Sequence, residues 1–247
     1  AGSGKSYYCL NQIKKKLEND KNNKLILLVP DQYTFQTEKK LLEHIGERAL
    51  LRAEVLSFKR MATRVFDRCG GRAINVIEDS GKNMLIYKLL KDKGEELQYF
   101  NRISKQQGFV GIVSKSITEF KKYNISEEIL IEKESQIDNK DLKEKVNDLA
   151  SIYKTFNENL HKGYIDSEDI LSILAKKLKE CELYNDAEIW VDEFTTFTPQ
   201  QLEVLKVLAK QCKNINITLC SDGQIQFTEG ETDIFDVIKN TENRLLK

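Results

Sequence analysis

Two hydrophobic rhythms share this chain. Leu25-Ile26-Leu27-Leu28-Val29 is an unbroken apolar run, branched enough for a strand buried on both faces, and Pro30 stops it. Further strands are predicted over Ala53–Phe58, Glu188–Val191 and Ile215–Cys220. Around them the period is helical. Helices are predicted over Ser6–Leu17, over Thr37–Leu51 with Leu41, Leu42, Ile45, Ala49 and Leu50 on one side, and over Lys59–Arg68, which Gly70-Gly71 ends. Another covers Pro199–Lys210, with proline at a tolerated first-turn position. Ile74–Ile77 reads as a short extension, and Asp79 or Ser80 caps a helix to about Lys91.

The middle changes character. From about Ser80 to Leu183 helix follows helix, with no strand predicted. Phe109, Ile112, Val113, Ile117 and Phe120 keep the helical period, as do Leu142, Val146, Leu149, Tyr153, Phe156 and Leu160, and then Ile170, Leu171, Leu174 and Leu178. Strand–helix units therefore flank a helical block. The economical reading is an α/β fold: a parallel sheet domain over residues 1–75 and 184–247, interrupted by an all-helical insertion over 76–183.

Composition narrows the function classes. Apolar residues make up 40% and charged residues 32%, a globular balance, and the longest apolar run falls far short of a membrane span. Lys+Arg and Asp+Glu are equal at 39 each, which argues against a nucleic-acid-coating domain but leaves room for a local track. Cys9, Cys69, Cys181, Cys212 and Cys220 are scattered without a C-x-x-C, so five free thiols in a reducing cytoplasm are expected rather than a disulfide framework or zinc site. His44 and His161 stand far apart in helical patterns and carry no catalytic assignment. The chain opens on Ala1 rather than methionine and reads as part of a longer protein.

Candidate chemistry sits at both ends. Gly2-Ser3-Gly4-Lys5-Ser6, entering a helix, matches the end of G-x-x-x-x-G-K-[ST], the phosphate-binding loop. Glycines let backbone N–H groups face phosphate, and the helix N-terminus favours an anion. Ala1 through Ser6 are thus the nucleotide-binding candidates, with Lys5 on the outer phosphates and Ser6 on Mg²⁺. A tag remnant is the alternative, disfavoured by the helix that starts at Ser6. Ile189-Trp190-Val191-Asp192-Glu193-Phe194 is an apolar strand ending in two carboxylates. Asp192 is the candidate for the Mg²⁺ shell and Glu193 for positioning or deprotonating water. Alone, a solvated strand end explains this pattern as well.

Together these segments resemble the first motor domain of superfamily 1 helicases of the UvrD/RecB type. Val191-Asp192-Glu193-Phe194 resembles their second motif and Val55-Leu56-Ser57-Phe58-Lys59 a strand end that touches single-stranded DNA. Gly163-Tyr164-Ile165-Asp166-Ser167-Glu168-Asp169-Ile170-Leu171 resembles the segment closing their insertion. A closer resemblance is to the AddB family, carried by Pro30-Asp31-Gln32-Tyr33-Thr34-Phe35-Gln36-Thr37-Glu38 and by Phe194-Thr195-Thr196-Phe197-Thr198-Pro199-Gln200. That resemblance implies a RecA-like phosphate-loop NTPase sheet with the helical insertion, within an ATP-dependent helicase/deoxyribonuclease for double-strand-break repair in the bacterial cytoplasm. It implies ATP and Mg²⁺ as cofactors, an AddA-type helicase–nuclease subunit as partner, and single- and double-stranded DNA ends as ligands. An iron–sulfur cluster is implied only for a C-terminal nuclease region outside this sequence.

Departures from the motor pattern are equally visible. Thr195 and Thr196 stand where the motors carry Gln and Asp, and Ser221-Asp222-Gly223-Gln224 is a trace of their third motif. The expectation is a site that holds nucleotide but serves recognition and scaffolding. A working motor and an unrelated phosphate-loop ATPase or kinase are the alternatives. A DNA track is sought at Tyr33, Thr34, Phe35, Ser57 and Phe58, which follow strands, and at Arg60 and Arg64. With Arg68 and Arg72, those arginines recur every fourth residue. The aromatic rings could stack on bases or belong to the core, and the arginine row could equally be a solvated face.

Overall fold

The computed structural model describes residues 4–19, 23–46, 52–70, 75–160, 163–221 and 235–246, apart from the side chain of Gln107. The elements run α1 (Lys5–Asn19), β1 (Leu25–Leu28), α2 (Thr34–Ile45), β2 (Ala53–Leu56), α3 (Phe58–Cys69), β3 (Asn75–Ile77), α4 (Asp79–Lys93), α5 (Gln107–Lys122), α6 (Glu127–Glu134), α7 (Lys140–Leu160), β4 (Tyr164–Asp166), α8 (Ile170–Leu178), β5 (Glu188–Val191), α9 (Pro199–Gln211), β6 (Asn214–Ile217) and α10 (Asp236–Leu245). They fall into two compact units, one of Ala1–Arg72 with Leu171–Lys247, the other of Ala73–Ile170.

The first unit is built on a parallel four-stranded sheet in the order β2-β1-β5-β6. β1 and β5 are buried along their whole length, which is why their sequences run apolar without alternation. Leu25, Leu27, Val29, Ala53, Val55 and Trp190 pack with Cys9, Leu10 and Ile13 of α1 and Leu41 of α2. At the amino edge of the sheet, buried Glu188 accepts from Lys16 (3.1 Å) and Asn23 (3.0 Å), so its charge is compensated.

Several boundaries differ from the sequence reading. A turn of 3-10 helix over Asp31–Tyr33 precedes α2, which therefore starts at Thr34 rather than Thr37. It ends at Ile45 because Gly46 adopts φ 85° and its N–H caps Leu42. β2 stops at Leu56, since the Ser57 hydroxyl accepts from the Arg60 N–H and starts α3. Ala49, Leu50, Leu51, Gly71, Arg72, Ile74 and His161 lie outside the described residues.

Cys69 and Cys181 form a disulfide, which corrects the expectation of five free thiols; Cys9, Cys212 and Cys220 are free. A separation of 112 residues hid the pair. Only folding brings the end of α3 beside the turn that follows α8. Residues 171–183, assigned to the insertion from sequence, also join the sheet unit, where Gln200 donates to Ser172 and Gln211 to the Leu178 carbonyl.

In the second unit Ile86, Leu90, Phe109, Val113, Ile117, Tyr153, Phe156 and Leu160 form one core. Ile112 and Leu142, members of the predicted stripes, are exposed. The unit is not all-helical: β3 pairs with β4 in parallel, three residues each, too short for a period-2 signal. Asp166, at the end of β4, is fully buried and takes Lys82 at 2.8 Å and Lys121 at 3.4 Å, both cations lying over the Phe156 ring. Asp148 accepts from the N–H groups of Gln98, Tyr99 and Phe100 at 2.8–3.0 Å, holding the loop before α5.

Burial alone would raise the Asp166 pKa, but Lys121 and Lys82 outweigh it and hold the carboxyl below its ordinary value. A depressed folded pKa contributes stability that is present above the unfolded value of about 3.9 and is lost as pH falls through the folded one. Acid titration of thermal unfolding should show that loss below about pH 4. Asp166→Asn should remove that component and, by leaving buried lysine charge unpaired, cost about 3–5 kcal/mol.

Candidate nucleotide site at the carboxyl edge of the sheet

Parallel pairing aligns the strand ends: Leu28 stands opposite both Leu56 and Val191, and Val191 opposite Ile217. The residues that follow the four strands therefore emerge on one edge, where open parallel sheets bind ligands. Gly4 enters α1 at φ 78°, a conformation natural to glycine, and its carbonyl accepts the Tyr8 N–H at 2.8 Å. Lys5 and Ser6 form the first turn.

A cavity of about 540 Å³ is lined by Gly4, Lys5, Ser6, Asp192, Glu193 and Thr218, among others. It joins segments far apart in the chain: the Ser6 hydroxyl donates to Glu193 Oε1 at 3.1 Å. Asp192 is buried, its N–H donates to the Leu28 carbonyl at 3.0 Å, and its Oδ1 accepts from the Thr218 hydroxyl. Glu193 is exposed with φ 67°, a left-handed backbone that costs a non-glycine residue about 1–2 kcal/mol. That kink turns the chain out of β5 and presents the second carboxylate to the cavity. Beneath the site, burial pushes the Cys9 thiol up to about 12, with the Asp192 charge adding to the effect. Cys9 is accordingly an inert core thiol.

Among the described residues no cluster of three or more His, Cys, Asp or Glu side chains could cage a metal. One hydroxyl and two carboxylates are instead a hard-oxygen set that suits Mg²⁺ arriving with phosphate. Ala1, Gly2 and Ser3, and the Asp222–Gln224 trace, lie outside the described residues.

The loop after Glu193 is held by a helix that sequence reading missed. Thr241 of α10 donates to the Thr195 carbonyl at 3.1 Å and Arg244 to the Phe197 carbonyl at 3.3 Å. Phe194 meets the Phe58 ring edge-on at 5.7 Å and stacks on Phe197 at 4.9 Å. Thr198 and Gln201 make a reciprocal capping box, with Pro199 in the first turn of α9. The sequence reading noted only Pro199; Thr-x-x-Gln before an apolar helix is the signal that marks the box.

The candidate DNA residues separate. Phe35 is 74% exposed and Tyr33 38%. Phe58 is 4% exposed and belongs to the core. The buried Thr34 donates to the Asp31 carbonyl at 2.9 Å, and Ser57 caps α3. Arg60 pairs with Glu38 and Arg64 with Glu54, so these two arginines are neutralised by their own protein; together they line a cavity of about 470 Å³ between α2 and α3.

The family model described as ADDB, N-terminal, matches residues 1–247. The chain belongs to the AddB family and corresponds to its N-terminal region. It is 52% identical over 246 residues to the B subunit of the ATP-dependent helicase/deoxyribonuclease of Clostridium perfringens (strain 13 / Type A), covering 100% of this chain and 21% of that protein. The like-named proteins of Clostridium botulinum (strain Loch Maree / Type A3) and Clostridium kluyveri (strain NBRC 12016) are 49% and 46% identical, again over 100% of this chain and 22% of theirs. The chain thus spans about a fifth of the length of these relatives. No helix among the described residues is long and apolar enough to cross a membrane. The segments carrying the AddB resemblance prove rich in turn chemistry: the 3-10 turn after β1, and the Thr198 cap of α9.

The left-handed backbone at Glu193 gives a direct test. Glu193→Gly should leave the thermal unfolding midpoint equal or higher, whereas Glu193→Val should lower stability by about 1–3 kcal/mol. Equal destabilisation by both would mean that the backbone there is not strained.

Proposed function

We propose that this chain is the nucleotide- and DNA-binding front of the AddB-type subunit in an ATP-dependent helicase/deoxyribonuclease that processes double-strand breaks for recombinational repair. In this reading the sheet unit is a RecA-like phosphate-loop domain and residues 76–183 are largely its insertion. The partner is an AddA-type subunit, the ligands are ATP, Mg²⁺ and DNA ends, and the setting is the bacterial cytoplasm. The observation that carries the reading is the Ser6–Glu193 hydrogen bond within a cavity that also holds Gly4, Lys5 and Asp192.

The residues divide the work by their chemistry. Gly4 and the first turn of α1 offer N–H groups and a helix N-terminus to phosphate. Lys5 would bring its ammonium group to the outer phosphates. Ser6 could give an oxygen lone pair to Mg²⁺ while its O–H stays hydrogen-bonded to Glu193, and Asp192 could accept from the metal's water shell. The metal, when bound, supplies charge neutralisation. Glu193, the exposed carboxylate, is placed to hold a water by hydrogen bonding.

Recognition and scaffolding, rather than translocation, fits the loop that follows. Thr195 and Thr196 are short side chains where superfamily 1 motors carry the Gln and Asp that link phosphate to DNA, and α10 braces the Thr195 carbonyl. The intact Asp192–Glu193 pair favours an active motor as the second reading. Exposed Phe35 and Tyr33, after β1 on the same edge, support contact with single-stranded bases.

Titration of full-length protein with a fluorescent ATP analogue and Mg²⁺ tests the site: Lys5→Ala should weaken binding at least tenfold, and equal affinity would sink it. DNA-stimulated ATP turnover abolished by Glu193→Gln, with the ATPase of the AddA-type partner inactivated, would select the motor reading. For DNA, Phe35→Ala should weaken single-strand binding by about 1–3 kcal/mol. Replacing Arg60, Arg64 and Arg68 by Ala should flatten the salt slope by about 0.7 for each phosphate no longer neutralised, and an unchanged slope would leave the row as an ion-paired face.

A further inference from the structure

The end of β6 carries a residue that the nucleotide-site reading leaves unused. Thr218 follows the last residue of β6 and continues the ladder, its N–H donating to the Val191 carbonyl at 2.9 Å. That backbone bond fixes where its side chain starts. Its hydroxyl then donates to Asp192 Oδ1. Among the described residues it is the one side chain that hydrogen-bonds this buried carboxylate. The other oxygen, Oδ2, has no protein hydrogen bond among those residues. The Val191 carbonyl, 3.4 Å from the same hydroxyl, offers a second and poorer acceptor.

An isolated carboxylate at a strand end can rotate about its terminal torsion, which is broad and roughly two-fold. A hydroxyl held by the sheet ladder removes that freedom. It engages one oxygen and leaves the other for the cavity that Gly4, Lys5, Ser6 and Thr218 line together. The bond to an ionised acceptor is also stronger than one between neutral groups.

We propose that Thr218 is a positioning residue for the metal. It sets the orientation of Asp192, so that β6 reaches the nucleotide site through the Thr218 hydroxyl. The inference rests on the nucleotide–Mg²⁺ reading of the cavity. Threonine is suited to the task because β-branching leaves few χ1 rotamers, and its methyl group anchors the hydroxyl. Valine keeps that shape and deletes only the donor, while serine keeps the donor and deletes the methyl.

The test uses full-length protein, a fluorescent ATP analogue and Mn²⁺ as the metal probe. Affinity for the analogue is measured in EDTA and then across a Mn²⁺ titration. Residues that orient a metal ligand typically change metal affinity by about 10–100-fold. Thr218→Val should therefore raise the half-saturating Mn²⁺ concentration by about 10–100-fold while leaving the affinity in EDTA unchanged. Thr218→Ser should recover most of the loss, which a purely structural role would not predict. An unchanged Mn²⁺ dependence in Thr218→Val overturns the proposal, and so does equal loss of affinity with and without metal. Wild-type protein that shows no metal-dependent nucleotide binding overturns instead the reading of the cavity itself. If Thr218→Val does not fold, Thr218→Ala reads the same two quantities under the same criteria.

Discussion

Parallel pairing of β1 with both β2 and β5 is the constraint on which the rest of the sheet unit depends. It joins strands separated in sequence by the whole second unit, and it does so in flush register. Flush parallel ends put every following residue on one edge. The Asp192–Glu193 pair, the turn after β1 with Tyr33 and Thr34, the Ser57 cap and Thr218 all owe their placement to that register. Shifting β5 by one residue would turn its side chains to the opposite faces. It would also carry Asp192 away from Thr218.

The second consequence is electrostatic. Buried charges here are compensated rather than isolated: Glu188 by Lys16 and Asn23, and Asp166 by Lys82 and Lys121. Each pair serves structure. Around the cavity the balance differs. Asp192 keeps one oxygen uncommitted among the described residues, and Glu193 is exposed at a strained backbone position. Strain and incomplete pairing gathered at one edge are what a binding site needs and a core avoids.

Much of this was legible in the sequence, for identifiable reasons. Buried parallel strands announce themselves as apolar runs, and β1, β2, β5 and β6 each lie within one residue of a predicted start. Gly4-Lys5-Ser6 and Asp192-Glu193 were visible because their chemistry demands particular residue types. What stayed hidden was long-range or short. The Cys69–Cys181 bond depends on tertiary contact, and β4, the partner of the extension read near Ile77, has only three residues. Thr218 is an ordinary residue until the ladder places it. The arginine row showed its spacing but not its partners, Glu38 and Glu54, which sit on other elements. Phe35 and Phe58 carried the same sequence signal, and only burial separates them.

In the proposed reading the carboxyl edge of the sheet holds a nucleotide and its metal. The most direct measurement is the structure of full-length protein bound to Mg²⁺ and a non-hydrolysable ATP analogue. The phosphates are expected against Gly4, Lys5 and the first turn of α1. Mg²⁺ is expected on the Ser6 hydroxyl oxygen, with a metal-bound water on Asp192. A nucleotide bound elsewhere, or phosphates at this edge with a metal that touches neither Ser6 nor the Asp192 water shell, would contradict it.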